Sequence, residues 1–242
     1  MKNYLSKVAC LVLVLGLILG SVGQAFAASA SDDGKDVASG NYTYWLINEV
    51  STSSSGATAF ALISCNEGAV PAGYMQVNAR LYNGNGILSK TSGWTVHNTK
   101  EKIIYATSPE ATLNGGYYAR SQAKTYHGDG YDTRTYLRTP TIQLNKSMSL
   151  TLGDENFTTD NPYGVNAKGQ TYGSELYADI SGIQPDLVAA IGIDGTIGYV
   201  YDRDLNPEVN TPEEALAMET IKEIPLYDHD GETVIGTFAI GY

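Results

Sequence analysis

The stretch from residue 41 to residue 145 alternates short runs rich in Tyr, Thr, Ile and Val with clusters of Gly, Asn and Asp. The runs are TAFALIS, YMQVNARLY, ILSKTSGWTV, KIIYAT, YYARSQAKTY and YDTRTYLRTPTIQL. Such runs predict β-strands and the clusters predict turns. Several short strands with regular turn signals are typical of an antiparallel β-sandwich, so we predict a mainly β fold with a sandwich domain over residues 41–145.

The segment from residue 169 to residue 242 mixes strand and helix signals. PDLVAAIGIDGTIGYV predicts two strands joined at Asp194-Gly195, and IPLYDHDGETVIGTF predicts a second hairpin that turns at Asp230-Gly231. In TPEEALAME, Thr211 is a suitable N-cap and Glu214 completes a capping box, which predicts a short helix. We therefore expect a small α+β module after the sandwich.

Charge is distributed unevenly along the chain. Residues 41–145 contain 8 basic and 6 acidic side chains, whereas residues 146–242 contain 4 and 17. This asymmetry indicates a domain boundary. The polar, turn-rich residues 146–168 are predicted to be a linker, and residues 169–242 an acidic domain.

The N-terminal segment has the pattern of a secretory signal peptide. Two lysines precede an apolar run over residues 8–20, and Ala25 and Ala27 follow with A-x-A spacing. The run is too short to span a bilayer, and no later run is long enough to anchor the chain. We predict a signal peptide over residues 1–27, a disordered leader over residues 28–40, and a secreted mature protein without a transmembrane segment.

Cys65 is the only cysteine that remains after residue 27, so the mature chain cannot form an internal disulfide. Because Cys65 ends the apolar run TAFALISC, we interpret it as a small buried hydrophobic residue. Pairing between two chains is left open.

Two segments resemble known secreted proteins. The stretch from Tyr74 to Leu144, with GYMQVNARLY, two Gly-rich turns and YY, is similar to uncharacterised secreted proteins of Gram-positive bacteria. The stretch from Gly169 to Phe238 resembles a C-terminal module of secreted and envelope proteins in the same bacteria, and DGTIGYVYDRDL within it is similar to the closing hairpin of bacterial SH3-like domains. The resemblance implies an origin and a compartment but no catalytic residues.

The metal-site candidates in the sequence are weak. Asp202, Asp204, Asn206 and Glu213 have the spacing of an EF-hand loop, but Pro207 occupies the position that requires glycine. The acidic turn YDHDGE is explained by turn chemistry, and His97, His127 and His229 lack a zinc spacing. We predict no metal and no cofactor.

Known catalytic signatures are missing from the sequence, which has no G-x-S-x-G, P-loop or H-E-x-x-H motif. A carboxylate pair for glycoside hydrolysis is defined by its separation in space, which the sequence does not give. An envelope-acting hydrolase is therefore kept as the alternative function, with no catalytic residue assigned.

The stretches RLYNGNGILSK and KTYHGDGYDTR predict two similar hairpins. With three-residue loops at Gly84–Gly86 and Gly128–Gly130, alternation puts basic residues and tyrosines on one face, the basic-tyrosine face. We predict it to be the outer face and the binding site; it comprises Arg80, Tyr82, Lys90, Arg120, Lys124, Tyr126, Arg134 and Arg138. The opposite, core-facing set is Val77, Ala79, Leu81, Ile87, Ala119, Ala123 and Leu137.

In this register like charges face each other, which destabilises a sheet unless an anion compensates. The predicted pairs are Arg80 with Lys90, Lys124 with Arg134, and Arg120 with Arg138. The anion is either external, such as a cell-wall phosphate or another anionic surface, or internal, supplied by docking of the acidic C-terminal module. Two alternatives stay open: the side chains splay into solvent, or a two- or four-residue loop places Lys124 opposite Thr133 and removes the pairing.

These observations favour a secreted, non-enzymatic binding protein that recognises an anionic cell-envelope component or a protein partner through the basic-tyrosine face. Nucleic acid is disfavoured as a partner because the whole chain has a net charge of −11.

Overall fold

The computed structural model describes residues 28–144 and 163–241. The predicted signal peptide and most of the predicted linker lie outside the described residues. The described part is mainly β, with antiparallel sheets and a few short helices, which confirms the predicted fold class.

The first half of the described chain contains thirteen strands. They are β1 (Ala28–Ser31), β2 (Lys35–Ser39), β3 (Tyr42–Thr52), β4 (Ala57–Cys65), β5 (Met75–Asn78), β6 (Arg80–Asn83), β7 (Leu88–Thr91), β8 (Thr95–Val96), β9 (Ile103–Thr107), β10 (Gly115–Ala119), β11 (Gln122–Tyr126), β12 (Tyr131–Thr135) and β13 (Ile142–Leu144).

The second half contains six described strands and three short helices. They are β14 (Gly164–Val165), β15 (Thr171–Gly173), α1 (Ala178–Ser181), β16 (Leu187–Ile191), β17 (Ile197–Tyr201), α2 (Asp202–Leu205), α3 (Pro212–Ala217), β18 (Glu223–Tyr227) and β19 (Val234–Ala239).

The first layer of the sandwich is sheet I, in the order β1-β3-β4-β9, with β2 also paired to β3. Its inner face carries alternate apolar residues, among them Tyr44, Leu46 and Ile63, which are almost completely buried. Residues 28–40, predicted to be disordered, instead form β1 and β2 on β3. That prediction was wrong because the polar composition of residues 28–40 does not show whether their backbone pairs with the long strand β3.

The second layer is formed by the runs β5–β6 and β10–β11, which pack on sheet I. Val77, Ala79 and Leu81 are fully buried in the same core as the inner face of sheet I. Ala119 and Ala123 are buried with them, as predicted, whereas Ile87 is half-buried and Leu137 is 50% exposed. Alternation therefore placed most of the core-facing set correctly.

The acidic module continues the sheet of the sandwich and covers its second layer. Leu88 of β7 pairs in parallel with Ala190 of β16, so one sheet runs β13-β10-β6-β7-β16-β17-β18-β19 through the described residues. A second apolar core joins the two halves. Its buried members are Tyr82, Leu88, Tyr118, Val188, Ala190, Val200, Leu205, Ile224, Leu226 and Phe238.

The local structure of the C-terminal module follows its sequence signals. β16 and β17 form an antiparallel hairpin around Asp194-Gly195, and β18 and β19 form another around Asp230-Gly231. The Thr211 side chain accepts a hydrogen bond from the Glu214 amide at the start of α3. The two predicted hairpins and the capped helix are confirmed.

The predicted register of the two Gly-rich hairpins was wrong by one residue. The first has the predicted three-residue loop, since Asn83 pairs with Ile87, but a bulge between Leu81 and Tyr82 places Arg80 opposite Thr91. Lys90 then lies opposite Leu81.

In the second hairpin the loop has two residues, because the His127 amide donates to the Gly130 carbonyl. Gly128 has a φ of 106° at the first loop position, a conformation that such loops favour. Lys124 therefore lies opposite Thr133 and Arg134 opposite Ala123, so the predicted like-charge pairs do not form. Arg120 and Arg138 lie outside this strand pair.

Candidate functional site

Half of the basic-tyrosine face lies inside the protein. Arg80 is fully buried, and Tyr82, Arg120 and Lys124 are 1, 7 and 5% exposed. Predicting an outer face for these four residues was wrong, because the C-terminal module packs on the second side of β5–β6 and β10–β11. Side chains along a strand point alternately to the two faces of the sheet, but this alternation does not show whether the polar face is exposed to solvent.

The other four residues of the predicted face are more accessible. Lys90, Tyr126 and Arg134 are half-buried, and Arg138 is exposed. Tyr126 packs in a tyrosine cluster, 5.0 Å from the ring of Tyr74 between centroids. The Arg134 guanidinium lies 3.4 Å from Asp132, and that of Arg138 lies over the Tyr118 ring at 3.8 Å.

Arg120 forms a buried ion pair with the C-terminal module. Its Nη1 donates to Glu175 Oε2 across 2.6 Å. Burial raises the pKa of the Glu175 carboxyl, and the positive charges of Arg120 and Arg80 oppose that rise. A buried charge requires such a partner, so Glu175 compensates one cation of the basic-tyrosine face.

The segment Leu205–Pro207 is held by three side chains of the sandwich, which we call the carbonyl clamp. Arg80 Nη2 donates to Asn206 Oδ1 at 2.7 Å and to the Leu205 carbonyl at 3.4 Å. Trp94 Nε1 donates to the same Leu205 carbonyl at 2.9 Å, and Lys124 Nζ donates to the Pro207 carbonyl at 2.6 Å. The clamp thereby fixes the end of α2 to the sandwich.

The electrostatics of Lys124 also involve the acidic module. Burial, with a smaller contribution from the positive charge of Arg80, lowers the pKa of Lys124 to about 8. Asp202 and Glu208 oppose that shift, and the ammonium lies 4.6 Å from the centre of the Trp94 ring. Three cations of the face therefore interact with three carboxylates of the module, at residues 175, 202 and 208. These contacts support the internal alternative over an external anion.

A groove of about 440 Å³ opens beside the clamp, between the β7–β8 region and the segment around α3. We call it the Trp94 groove. Its apolar lining includes Trp94, Leu205, Pro207, Leu216, Met218 and Ile221. Leu216 and Ile221 are 42 and 48% exposed, so the groove presents apolar surface to solvent. Concave sites with an apolar lining and a few polar groups are typical ligand sites.

The charged side chains that line the Trp94 groove are acidic. Asp204 and Glu219 both line it, and no lysine or arginine does so among the described residues. Burial raises the pKa of Asp204, and Arg203, 3.8 Å away, opposes the rise. The groove therefore favours positively charged groups and repels anions.

The lining of a second hollow, of about 490 Å³, includes Asn206, Arg203 and three carboxylates, those of Asp186, Asp202 and Glu208. Asp186 accepts hydrogen bonds from the amide and hydroxyl of Thr171, and Asp202 accepts one from Asn206. Asp186 and Asp202 thus already accept hydrogen bonds from neighbouring segments of the chain.

No group of three or more potential metal ligands occurs in the described parts of the chain. In the acidic turn, the Asp230 carboxylate accepts hydrogen bonds from Thr233 and from the Glu232 amide, which lower its pKa to about 2. That turn therefore uses its acid to stabilise its own conformation. Cys65 is buried, with a pKa raised by burial, as a structural thiol would be.

Sequence reasoning missed Trp94, the residue shared by the clamp and the groove. The signal was present, since SKTSGWTV places a single large aromatic residue in a polar, turn-rich run. Its significance depends on Leu205, more than a hundred positions away, and local pattern does not encode that contact.

Comparison with family models, with curated proteins and with solved structures finds no match to this chain. The resemblance of two segments to secreted Gram-positive proteins therefore stays a prediction. Within residues 28–144 and 163–241, none of the helices has the length and apolarity needed to cross a bilayer.

Proposed function

We propose that the mature chain is a secreted, non-enzymatic interaction protein that binds a partner in the cell envelope through the Trp94 groove. The observation that carries this proposal is the solvent-exposed apolar lining of a groove shared by both halves of the protein. The basic-tyrosine face then has a structural role, since Arg80, Arg120 and Lys124 already have internal partners.

The chemistry of the groove favours a polypeptide ligand with an apolar side chain next to a cationic or neutral group. Leu216 and Ile221 offer apolar contact, while Asp204 and Glu219 attract positive charge and repel an anionic polymer. A phosphate-rich ligand would meet two carboxylates in this groove. The proposed ligand is therefore a peptide component of the envelope.

Sedimentation with purified cell walls tests the proposal. The chain beginning at Ala28 is expected to pellet with walls, and the double change Leu216→Ser with Ile221→Ser is expected to weaken binding about tenfold, because apolar contact is lost. Ile197→Ser is the matched control, since Ile197 is 50% exposed and does not line the groove. Equal binding of the groove variant and the control would contradict the proposal.

A second candidate function uses the same groove. Because Asp204 and Glu219 both line it, and burial raises the pKa of Asp204, the groove contains a candidate general acid, Asp204, and a second carboxylate, Glu219. An envelope-acting hydrolase would release soluble sugar or peptide from walls, and Asp204→Asn or Glu219→Gln would abolish the release. Wall binding without any released product excludes this second function and leaves the binding proposal intact.

A further inference from the structure

The outer face of sheet I combines aromatic, hydroxyl and carboxyl side chains in an ordered grid. Strand pairing places Glu49, Phe60 and Thr107 in one row across β3, β4 and β9. The next row contains Ile47, Leu62 and Tyr105, and Ser51 lies opposite Thr58 on the other side of the Phe60 row. This face does not belong to the Trp94 groove or to the contacts with the C-terminal module.

Phe60 and Tyr105 form a two-ring platform on this face. Their ring centroids are 5.7 Å apart with an interplanar angle of 26°, so the rings are stacked. Tyr105 is 58% exposed, although it sits on a sheet whose neighbouring Ile47 and Leu62 are 6 and 4% exposed. The exposed aromatic area is therefore mainly the Tyr105 ring, which is supported by Phe60 on an apolar base.

Polar groups surround the platform. Glu49, directly opposite Phe60, is 7% exposed; burial raises its pKa, and a side-chain hydrogen bond with Ser29 opposes the rise. The hydroxyls of Ser51 and Thr58 lie 3.0 Å apart, and Thr107 is opposite Phe60 on the third strand. A carboxyl group and several hydroxyls thus lie within one or two strand positions of the two rings. None of the residues that β3, β4 and β9 direct to this face is lysine or arginine.

We propose that this face is a binding site for an uncharged polysaccharide chain, with one sugar ring stacked on the Phe60–Tyr105 platform. The C–H groups on a pyranose face pack against an aromatic ring, and its hydroxyls exchange hydrogen bonds with the partly exposed hydroxyls of Ser51, Thr58 and Thr107 beside the ring. Because β3, β4 and β9 direct no lysine or arginine to this face, an anionic polymer is disfavoured.

A carbohydrate fits this face better than a second copy of the chain. A stable protein interface buries about 800 Å² on each partner. Here Trp45, Ile47 and Leu62 are already at most 8% exposed, so Tyr105 supplies most of the remaining apolar surface. The exposed area of one aromatic ring is similar to the face of one sugar ring and is too small for a stable dimer interface.

Calorimetric titration of the mature chain with cellopentaose and with chitopentaose tests the site. We expect saturable binding of at least one of these two uncharged, ribbon-shaped β-1,4-linked probes. Tyr105→Ala should weaken binding by about tenfold or more, and Tyr105→Phe, which keeps the ring, should bind within about twofold of the wild type. Ile183→Ala is the control, because Ile183 is 66% exposed and lies in the C-terminal module.

Circular dichroism spectra that match the wild type are required of each variant, so that loss of binding is not loss of fold. No saturable binding of either probe by the folded wild type would overturn the proposal. Equal weakening of probe binding by Tyr105→Phe and Tyr105→Ala would also overturn it. The same holds if Tyr105→Ala changes only the self-association of the chain, measured by analytical ultracentrifugation, and leaves probe binding unchanged. Because the Leu216 and Ile221 variants leave this face unchanged, failure here is distinguishable from failure of the Trp94 groove.

Discussion

Arg120 Nη1 lies 2.6 Å from Glu175 Oε2, and the two side chains are 9 and 0% exposed. One residue belongs to the basic-tyrosine face and the other to the acidic module. Their contact shows that charge asymmetry along the sequence reflects complementarity between two packed parts of one molecule.

Breaking this ion pair should destabilise the protein strongly. Glu175→Gln leaves the Arg120 charge buried without its anion, and we expect a loss of about 3 kcal/mol in the free energy of unfolding. Urea unfolding followed by fluorescence measures it. The control is Glu232→Gln, which removes the exposed pair with Lys168 and should leave the free energy of unfolding almost unchanged. Equal effects of the two variants would contradict a buried role for Glu175.

Charge reversal at Lys124 should have a different result from charge reversal at Arg134. Lys124→Glu would put a carboxylate against the Pro207 carbonyl and close to Asp202 and Glu208, so we expect a loss of about 3 kcal/mol or more. The Arg134 side chain is 42% exposed, and Arg134→Glu should change stability by less than about 1 kcal/mol. The urea midpoints of unfolding of the two variants measure this difference. Wall binding by Arg134→Glu should equal that of the wild type.

Stability should decrease between pH 4 and pH 6.5 because of Asp32. Its carboxylate accepts hydrogen bonds from Asn48 and Gly34, but burial outweighs them and raises its pKa from 3.8 to about 6. The folded state thus binds the proton more tightly than the unfolded state. Stability is highest below the unfolded pKa and falls as pH rises through the folded pKa, by about 2 kcal/mol.

The Asp32 contribution is isolated by comparing pH profiles, since other buried carboxyls titrate in the same direction. Asp32→Asn, which cannot ionise, should have a flatter profile than the wild type over this range, whatever its absolute stability. Asp194→Asn is the control, because Asp194 is exposed and its pKa is lowered by hydrogen bonds to Thr196. Parallel profiles for the wild type and Asp32→Asn would show that Asp32 is not the titrating group.

His97 should stay neutral with its proton on Nδ1. Its Nε2 accepts a hydrogen bond from the Met75 amide at 3.0 Å, and Nδ1 lies 2.8 Å from the Thr99 carbonyl, which can only accept. Burial lowers the pKa of His97, so the folded state binds a proton at this ring less tightly than the unfolded state does. The neutral ring therefore stabilises the fold at neutral pH, and this stabilisation is lost as pH falls below the ordinary histidine range. Nitrogen NMR of the imidazole should show the Nδ1–H tautomer at pH 7; a protonated ring there would contradict the assignment.

Much of the fold could be predicted because turns and strand alternation are local. Asp194-Gly195 specifies its hairpin, Thr211 caps its helix, and Val77 and Leu81 face the core as their spacing indicates. The bulge beside Tyr82 and the burial of Arg80 could not be predicted. They depend on Asn206, 126 positions from Arg80, and on the packing of the acidic module.

The most direct test of the account is the accessibility of the Lys124 amine. A short pulse of an acetylating reagent at pH 8, followed by peptide mass spectrometry, compares it with the exposed amines of Lys100 and Lys222. A lowered pKa would make an accessible Lys124 react faster than ordinary lysines. We predict that burial makes it react at least about tenfold more slowly. Labelling of Lys124 in the folded protein as fast as Lys100 would show that the basic-tyrosine face is open to solvent and contradict the account.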